Sequence, residues 1–307
     1  MTSSDKPADT TVSVPEPGPA QLDVSPDGYI NPIAEPFVEV PDTDTIAGLT
    51  LIEATEEGFV TVTLNRPQKK NAFDAELIGA LREAFETLRD QENVRVVFVR
   101  GSGGMFSAGA DLEWMRDAAG HSEADNREDA MQMAIMLKHL HDIPALTVAL
   151  VEGGGFGGGA GLVAACDMAI AVKGARFSFS EVKLGLIAAT ISPYVVAALG
   201  PRRARRMFST GEVFDAPQAL AVGLIDEVVA DTAALEAAAA RIAKGQMACS
   251  PGAVAESKRL VAEVAGREID HGLMVHTAHR IAAQRVGEDG QAGVRAFLAG
   301  EKPPWAS

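Results

Sequence analysis

The chain has 307 residues, 47% of them hydrophobic and 22% charged, an ordinary globular composition with enough apolar residues for a substantial core. Its 42 acids against 27 bases leave a formal charge of −15, which argues against a partner built on phosphate backbones, so nucleic acid is not expected. Two cysteines are too few for a disulfide framework or a cysteine-rich zinc site, and no run reaches the roughly 18 apolar residues of a membrane span or forms a signal core, so the expectation is a cytoplasmic protein without a membrane partner.

Residues 1–46 carry nine acids, one lysine and eight of the sixteen prolines, with few large apolar side chains. That composition cannot bury a core and predicts a disordered leader. Short β-type runs begin at residue 49. Residues 49–54 and the strictly alternating Val60-Thr-Val-Thr-Leu64 read as strands, the second half-buried, and Pro67 ends it. Leu77, Ile78, Leu81, Phe85 and Leu88 recur at helical spacing, and residues 94–99, apolar except for Arg95, read as a buried strand. A helix around 124–141, a strand at 145–151, a helix near 162–166 and strands at 168–172 and 176–179 repeat the pattern. After Ile191 the chain reads as helices apart from a short element at 224–229. The fold class is therefore α/β, with a core over 47–230 and a helical region over 231–307.

Two segments do not read as ordinary packing. Gly101-Ser-Gly-Gly-Met-Phe-Ser-Ala-Gly-Ala-Asp111 leaves the 94–99 strand and enters a helix at about Asp111. Residues 153–161, again between a strand and a helix, hold seven glycines in nine positions. Such turns present free backbone N–H groups, because the first turn of a helix has no internal acceptor for them. Two N–H groups converging on one point would stabilise a negative oxygen developing on a carbonyl, an arrangement in which one lost donor costs about 10²–10³ in rate. A competing reading takes Gly155-Phe-Gly-Gly-Gly-Ala160 as a relaxed dinucleotide fingerprint with Glu181 as the acid about 20 residues on, but that fingerprint belongs in the first strand–helix–strand unit and leaves the first glycine loop unexplained.

At these residues the chain resembles the crotonase, or enoyl-CoA hydratase/isomerase, superfamily. The matching text is Thr63-Leu-Asn-Arg-Pro67, Asn71-Ala-Phe73, Phe106-Ser-Ala-Gly-Ala-Asp-Leu112, Phe156-Gly-Gly-Gly159, Cys166-Asp167, Phe179-Ser-Glu181 with Leu184-Gly-Leu186, and Thr210-Gly211 followed by Ala221-Val-Gly-Leu224, in the family's order over 47–307. The resemblance implies a spiral of ββα repeats, a homotrimer or dimer of trimers held by C-terminal helices, and an acyl-CoA thioester bound with no metal or other cofactor, coenzyme A entering as part of the substrate. It places the oxyanion donors at the N–H groups of Ala110 and Gly158, the acid/base at Glu181, and substrate or coenzyme A contacts at Asn71, Ala72, Phe73, Ala108, Asp111 and Gly161.

One position departs from the pattern. The two-carboxylate hydratases of the family carry their first glutamate where this chain has Gly161, leaving Glu181 alone. Single-base Δ3,Δ2-enoyl-CoA isomerases work with one carboxylate; hydration by one carboxylate requires it to take a proton from water and return it. Cys166-Asp-Met-Ala-Ile170, Ile191-Ser-Pro193 and Lys302-Pro-Pro-Trp305 are similar to bacterial methylglutaconyl-CoA and carboxygeranoyl-CoA hydratases, implying hydration in leucine or acyclic-terpene breakdown, with Gly161 leaving room for a branch at C3. The isomerase is the alternative and a catalytically inactive scaffold the lesser one. Met105, Met115, Met131, Met133 and Met136 with Trp114 read as helical core before acyl pocket. His276 and His279 read as a surface pair without further metal ligands, and Arg202, Arg203, Arg205 and Arg206 as a solvated face before a phosphate or carboxylate contact.

Overall fold

Alternating Val60, Val62 and Leu64 turn one face of their strand inward, and they do so in the computed structural model, which describes residues 48–306. The leader expected over 1–46 lies outside the described residues. Strand β1 (Thr50–Ala54) pairs antiparallel with β2 (Phe59–Leu64) across a turn closed by Gly58, where φ is +85° and a Cβ would sit 2.1 Å from the Asn93 carbonyl. Helix α1 (Ala75–Arg89) is capped by Asp74, which accepts from the Leu77 N–H, and buries Leu77, Ile78, Leu81, Phe85 and Leu88, the residues that recur at helical spacing. Strand β3 (Val96–Gly101) runs parallel to β2. Helices α2 (Leu112–Ala118) and α3 (Glu123–His141) follow, and α3 starts on a capping box between Ser122 and Asp125.

Strand β4 (Leu146–Val151) joins the sheet beside β3; the chain then bends through β5 (Gly154–Phe156) into α4 (Gly158–Ala165) and returns as β6 (Met168–Val172) beside β4. Strand β7 (Arg176–Ser178) leads to a 3-10 turn at Glu181–Leu184, followed by α5 (Ser192–Leu199), α6 (Pro201–Thr210), β8 (Val213–Asp215), α7 (Ala216–Val222) and β9 (Glu227–Val229). The main sheet has the order β1-β2-β3-β4-β6-β9, and a smaller one has the order β5-β7-β8. Sequence periodicity misses β5 and β8, because three-residue strands, one of them glycine-rich, have no period to display.

Four helices close the chain: α8 (Thr232–Gln246), α9 (Pro251–Val264), α10 (His271–Val286) and α11 (Glu288–Ala299). The central strands β3, β4 and β6 are buried on both faces. Val97 and Val99 point towards α1 and α3, while Val96, Phe98, Val148, Leu150 and Ile170 meet Leu235, Ala238, Ala239 and Ile242 of α8. The first helix beyond residue 230 therefore belongs to the core of its own chain, and each large side chain it covers stabilises the fold by about 1.5–3 kcal/mol. Among the described residues, no helix is long and apolar enough to cross a membrane, and no cluster of three His, Cys, Asp or Glu residues could hold a metal.

Candidate active site

Both glycine loops lie where the main sheet gives way to the small one. The first is organised by Asn71, a fully buried residue in the left-handed region at φ +54°. Its Oδ1 accepts from the Arg66 N–H at 2.8 Å, and its Nδ2 donates to the carbonyls of Ser102 and Met105 at 2.9 and 2.6 Å. The Phe73 N–H donates to the Gly109 carbonyl at 2.7 Å and the Asp111 N–H to the Phe73 carbonyl at 2.8 Å. That bridge faces Ala110 away from Phe73's hydrogen-bonding edge. Ala110 is exposed, and its N–H has no acceptor among the described residues.

The second loop turns on Gly153 (φ +63°) and Gly157 (φ +48°), conformations that side chains disfavour. Gly158 begins α4, so its N–H has no partner inside the helix. A Cβ on Gly109 would lie 2.8 Å from the Phe156 carbonyl oxygen and 3.8 Å from the Gly157 nitrogen, so Gly109, one residue before Ala110, abuts the Phe156–Gly157 peptide, one peptide before that of Gly158. Glu181 opens the 3-10 turn after β7. Its Oε1 lies 3.2 Å from where a Gly157 Cβ would be, and its Oε2 is buried with no hydrogen-bond partner. Burial pushes its carboxyl above the usual range, partly offset by its own backbone N–H. A Cβ on Gly158 would meet Met133 Cε at 2.9 Å and the Phe73 ring at 3.3 Å. Glu181 therefore lies against Gly157, and Phe73 and Met133 against Gly158, at consecutive residues of one turn, with Ala110 on the adjoining loop.

Several expectations need correction. Gly161 leaves no room for a branched substrate: it is buried in α4, and a Cβ there would be 2.1 Å from Ile191 Cγ2 and 2.5 Å from Ile191 Cβ. The glycine is required by the close packing of α4 on α5. Asp111 offers no free side-chain group to coenzyme A. Its Oδ1 accepts from the Glu113 N–H at 2.8 Å, capping α2, and its Oδ2 pairs with Arg66 at 2.8 Å. Burial pushes its carboxyl up, yet the Glu113 N–H and the Arg66 guanidinium outweigh burial and hold it below the usual range. Asn71 likewise commits its whole amide internally, and the Ala72 carbonyl accepts from Arg66 Nη1 at 3.0 Å. Ala108 donates its N–H to the Lys70 carbonyl at 2.9 Å, while its own carbonyl accepts no hydrogen bond among the described residues.

Residues that the sequence reading missed are Arg66, Ser107 and Ile191. Arg66 could have been found as the one cation in the Asn-Arg-Pro text; Ile191 stands in the Ile191-Ser-Pro193 text, but nothing in the sequence sets it against Gly161. Of the methionines, Met133 and Met136 are buried and Met131 is half exposed. His276 pairs with Glu263 at 2.7 Å, and the four arginines of α6 are exposed, Arg206 pairing with Glu212 at 2.9 Å. The dinucleotide reading also fails on placement, since Glu181 follows β7 and lies against Gly157 instead of ending the strand after α4.

The profile of the enoyl-CoA hydratase/isomerase family matches residues 54–307. The chain is 31% identical to the enoyl-CoA hydratase ACTT6 of Alternaria alternata, covering 80% of each, and 30% identical to the mitochondrial enoyl-CoA hydratase domain-containing protein 3 of Mus musculus, covering 82% of each. Among solved structures, an enoyl-CoA hydratase from Shewanella pealeana superposes with a TM-score of 0.80 at 38% identity, over 84% of this chain and 96% of that one. AtuE of Pseudomonas aeruginosa gives 0.81 at 36% identity, over 84% and 100%. With the two glycine loops and the lone glutamate set at the junction of its sheets, this chain belongs to the enoyl-CoA hydratase/isomerase family.

Proposed function

We propose that the chain adds water across the 2,3 double bond of an enoyl-CoA thioester, with Glu181 as its only acid/base. One observation carries the reading: an unpartnered, buried carboxylate oxygen beside the Gly157–Gly158 turn. The thioester carbonyl would sit between the N–H groups of Ala110 and Gly158, which take up the charge that grows on oxygen as C3 is attacked. Glu181 accepts a proton from water as the hydroxyl bonds to C3, then delivers that proton to C2, so no net proton is consumed. A carboxyl raised by burial holds the proton between the two steps better than an ordinary glutamate would. Coenzyme A enters as part of the substrate, and the free Ala108 carbonyl is an acceptor for a donor on its adenine.

The resemblance of Cys166-Asp-Met-Ala-Ile170, Ile191-Ser-Pro193 and Lys302-Pro-Pro-Trp305 to methylglutaconyl-CoA hydratases supports 3-methylglutaconyl-CoA as substrate; the packing at Gly161 does not add to that support. A second reading, migration of a 3,4 double bond to the 2,3 position, is favoured by Ile191 standing where a second carboxylate would be needed to help hold water. The apolar side chains exposed beyond α9, among them Ile269, Val286, Phe297 and Leu298, each at least 79% exposed, support self-association into a trimer or dimer of trimers. The deciding experiment incubates purified protein with 3-methylglutaconyl-CoA, crotonyl-CoA and a 3-enoyl-CoA and separates the products. Formation of a 3-hydroxyacyl-CoA supports hydration. Conversion of the 3-enoyl-CoA alone, with no hydroxyacyl product from any 2-enoyl substrate, replaces hydration by isomerisation.

A further inference from the structure

Ser107 joins both glycine loops, and it has no exposed surface. Its hydroxyl donates to the Asn71 carbonyl at 2.8 Å and accepts from the Gly109 N–H at 3.2 Å. Its own N–H donates to the Gly154 carbonyl at 3.1 Å, and its carbonyl accepts from the Phe156 N–H at 3.1 Å, bridging it to β5. Its Cβ lies 2.8 Å from where a Gly159 Cβ would be, so the first turn of α4 rests on it. One residue thus touches the loop at Asn71, the peptide run leading to Ala110 and the first turn of α4 with its side chain, and β5 with its main chain.

We infer that Ser107 is a positioning residue for the two candidate oxyanion donors, an inference that rests on the proposed reading of the site. The hydroxyl fixes the Gly109 N–H, and the next peptide along carries the Ala110 N–H. The Gly109 carbonyl of that same peptide accepts from Phe73, so its plane is held at the oxygen by Phe73 and, across the Gly109 Cα, by the preceding peptide that Ser107 fixes. Hydrogen bonds in such a chain polarise one another, and the acceptor load on the Gly109 carbonyl strengthens the Ala110 N–H as a donor. Removing the hydroxyl leaves Gly109 without its acceptor and lets the Ala110 peptide turn, while the Cβ still supports α4.

The test is Ser107→Ala. A conjugated 2,4-dienoyl-CoA bound in the site reads donor placement directly, because polarisation of its carbonyl shifts its absorption to longer wavelength. The expected result is a smaller red shift of the bound dienoyl-CoA and a kcat lower by about tenfold to a hundredfold, with KM and the affinity for free coenzyme A within about twofold of wild type. An unchanged red shift with unchanged kcat overturns the assignment. So does a loss of coenzyme A affinity and melting temperature that accounts for the whole loss of activity while the red shift per bound molecule stays the same, the signature of a purely structural serine. If Ser107→Ala does not fold, Ser107→Cys, which keeps a weaker donor and acceptor on the same Cβ, is judged by the same criteria. A wild type that binds the dienoyl-CoA without any red shift defeats the oxyanion reading itself, and the role of Ser107 with it.

Discussion

Gly161→Ala places a methyl carbon 2.1 Å from Ile191 Cγ2 and 2.5 Å from Ile191 Cβ, where carbon atoms prefer about 3.5–4.0 Å. Either α4 and α5 separate by more than 1 Å or Ile191 leaves its rotamer, at a cost of roughly 0.5–1.5 kcal/mol for the rotamer and about 1–3 kcal/mol for overpacking generally. Helix propensity pulls the other way, since alanine is favoured over glycine inside a helix by about 0.8–1.0 kcal/mol. Overpacking wins, and the net destabilisation should be about 1–2 kcal/mol, or roughly 2–4 °C in Tm per kcal/mol for a domain of this size. Ile191→Ala alone should cost about 2–5 kcal/mol through the cavity it opens. In the double variant the Cγ2 contact is gone and the cavity gives α4 room to shift away from the Cβ that alanine keeps, so the pair should be more stable than the sum of the singles by about 1 kcal/mol. Urea melts of the four proteins at one fixed protein concentration measure this coupling. Additivity within about 0.5 kcal/mol, or a Gly161→Ala protein more stable than wild type, would show that Ile191 does not close the space above Gly161.

Glu181→Gln keeps the side chain's size and removes its titratable proton; turnover of any accepted enoyl-CoA should fall by about 10² or more while coenzyme A binding persists, and retained activity would transfer the acid/base role to another group. Because burial raises the Glu181 carboxyl, the base form is lost on acidification above the ordinary glutamate value of about 4.3, so wild-type kcat/KM should decline from a correspondingly higher pH, with no such limb in the variant's residual activity. The linkage has the matching sign: a folded-state pKa above the unfolded one contributes stability that is complete below about 4.3 and lost as pH rises through the folded value. Glu181→Gln should therefore melt at or above wild type at neutral pH, with the gap changing as the solution is acidified, and a variant that melts below wild type at neutral pH contradicts the buried-charge account. Asp111→Ala removes the α2 cap and one of two carboxylates on Arg66, whose pairing with Asp74 at 2.8 Å survives, so urea denaturation should show a loss of about 2–4 kcal/mol. Its folded fraction should bind coenzyme A like wild type, and a selective loss of affinity would restore Asp111 as a ligand contact.

Elements with a strong period were legible. Residues 168–172 form a strand with the expected limits, and the helix expected around 124–141 spans Glu123–His141, because its apolar positions recur and its start is capped. The glycine loops and Glu181 also stood out, since glycine runs between a strand and a helix have few other uses. What the sequence hid were relations between distant residues. Ile191 is thirty positions from Gly161, and no pattern announces that its branched side chain fills the space above that glycine. Asn71 and Asp111, polar and in text that resembles the family's, read as ligand contacts until their partners are known; each then proves to satisfy backbone or guanidinium groups of its own chain. The helix over 232–246 was expected with the C-terminal helical region, but its Leu235 and Ile242 stripe matches the second face of the parallel strands β3, β4 and β6, which only the sheet order makes visible.

Both candidate donors are main-chain groups, carried by an alanine and a glycine, whereas the side chains standing over Gly158 are those of Phe73 and Met133. Under the proposed mechanism, polarisation of the thioester and the side chains beside it would thus be written in different parts of the covalent structure. A duplicated gene can drift at Met133 or Phe73 and explore new thioesters while the polarising peptides stay the same, since no substitution at Ala110 short of proline deletes its N–H. In the proposed mechanism the acid/base is the opposite case, one side chain, Glu181, on which turnover would depend. Divergence on this scaffold should accordingly be gradual in what is accepted and abrupt in what is done to it.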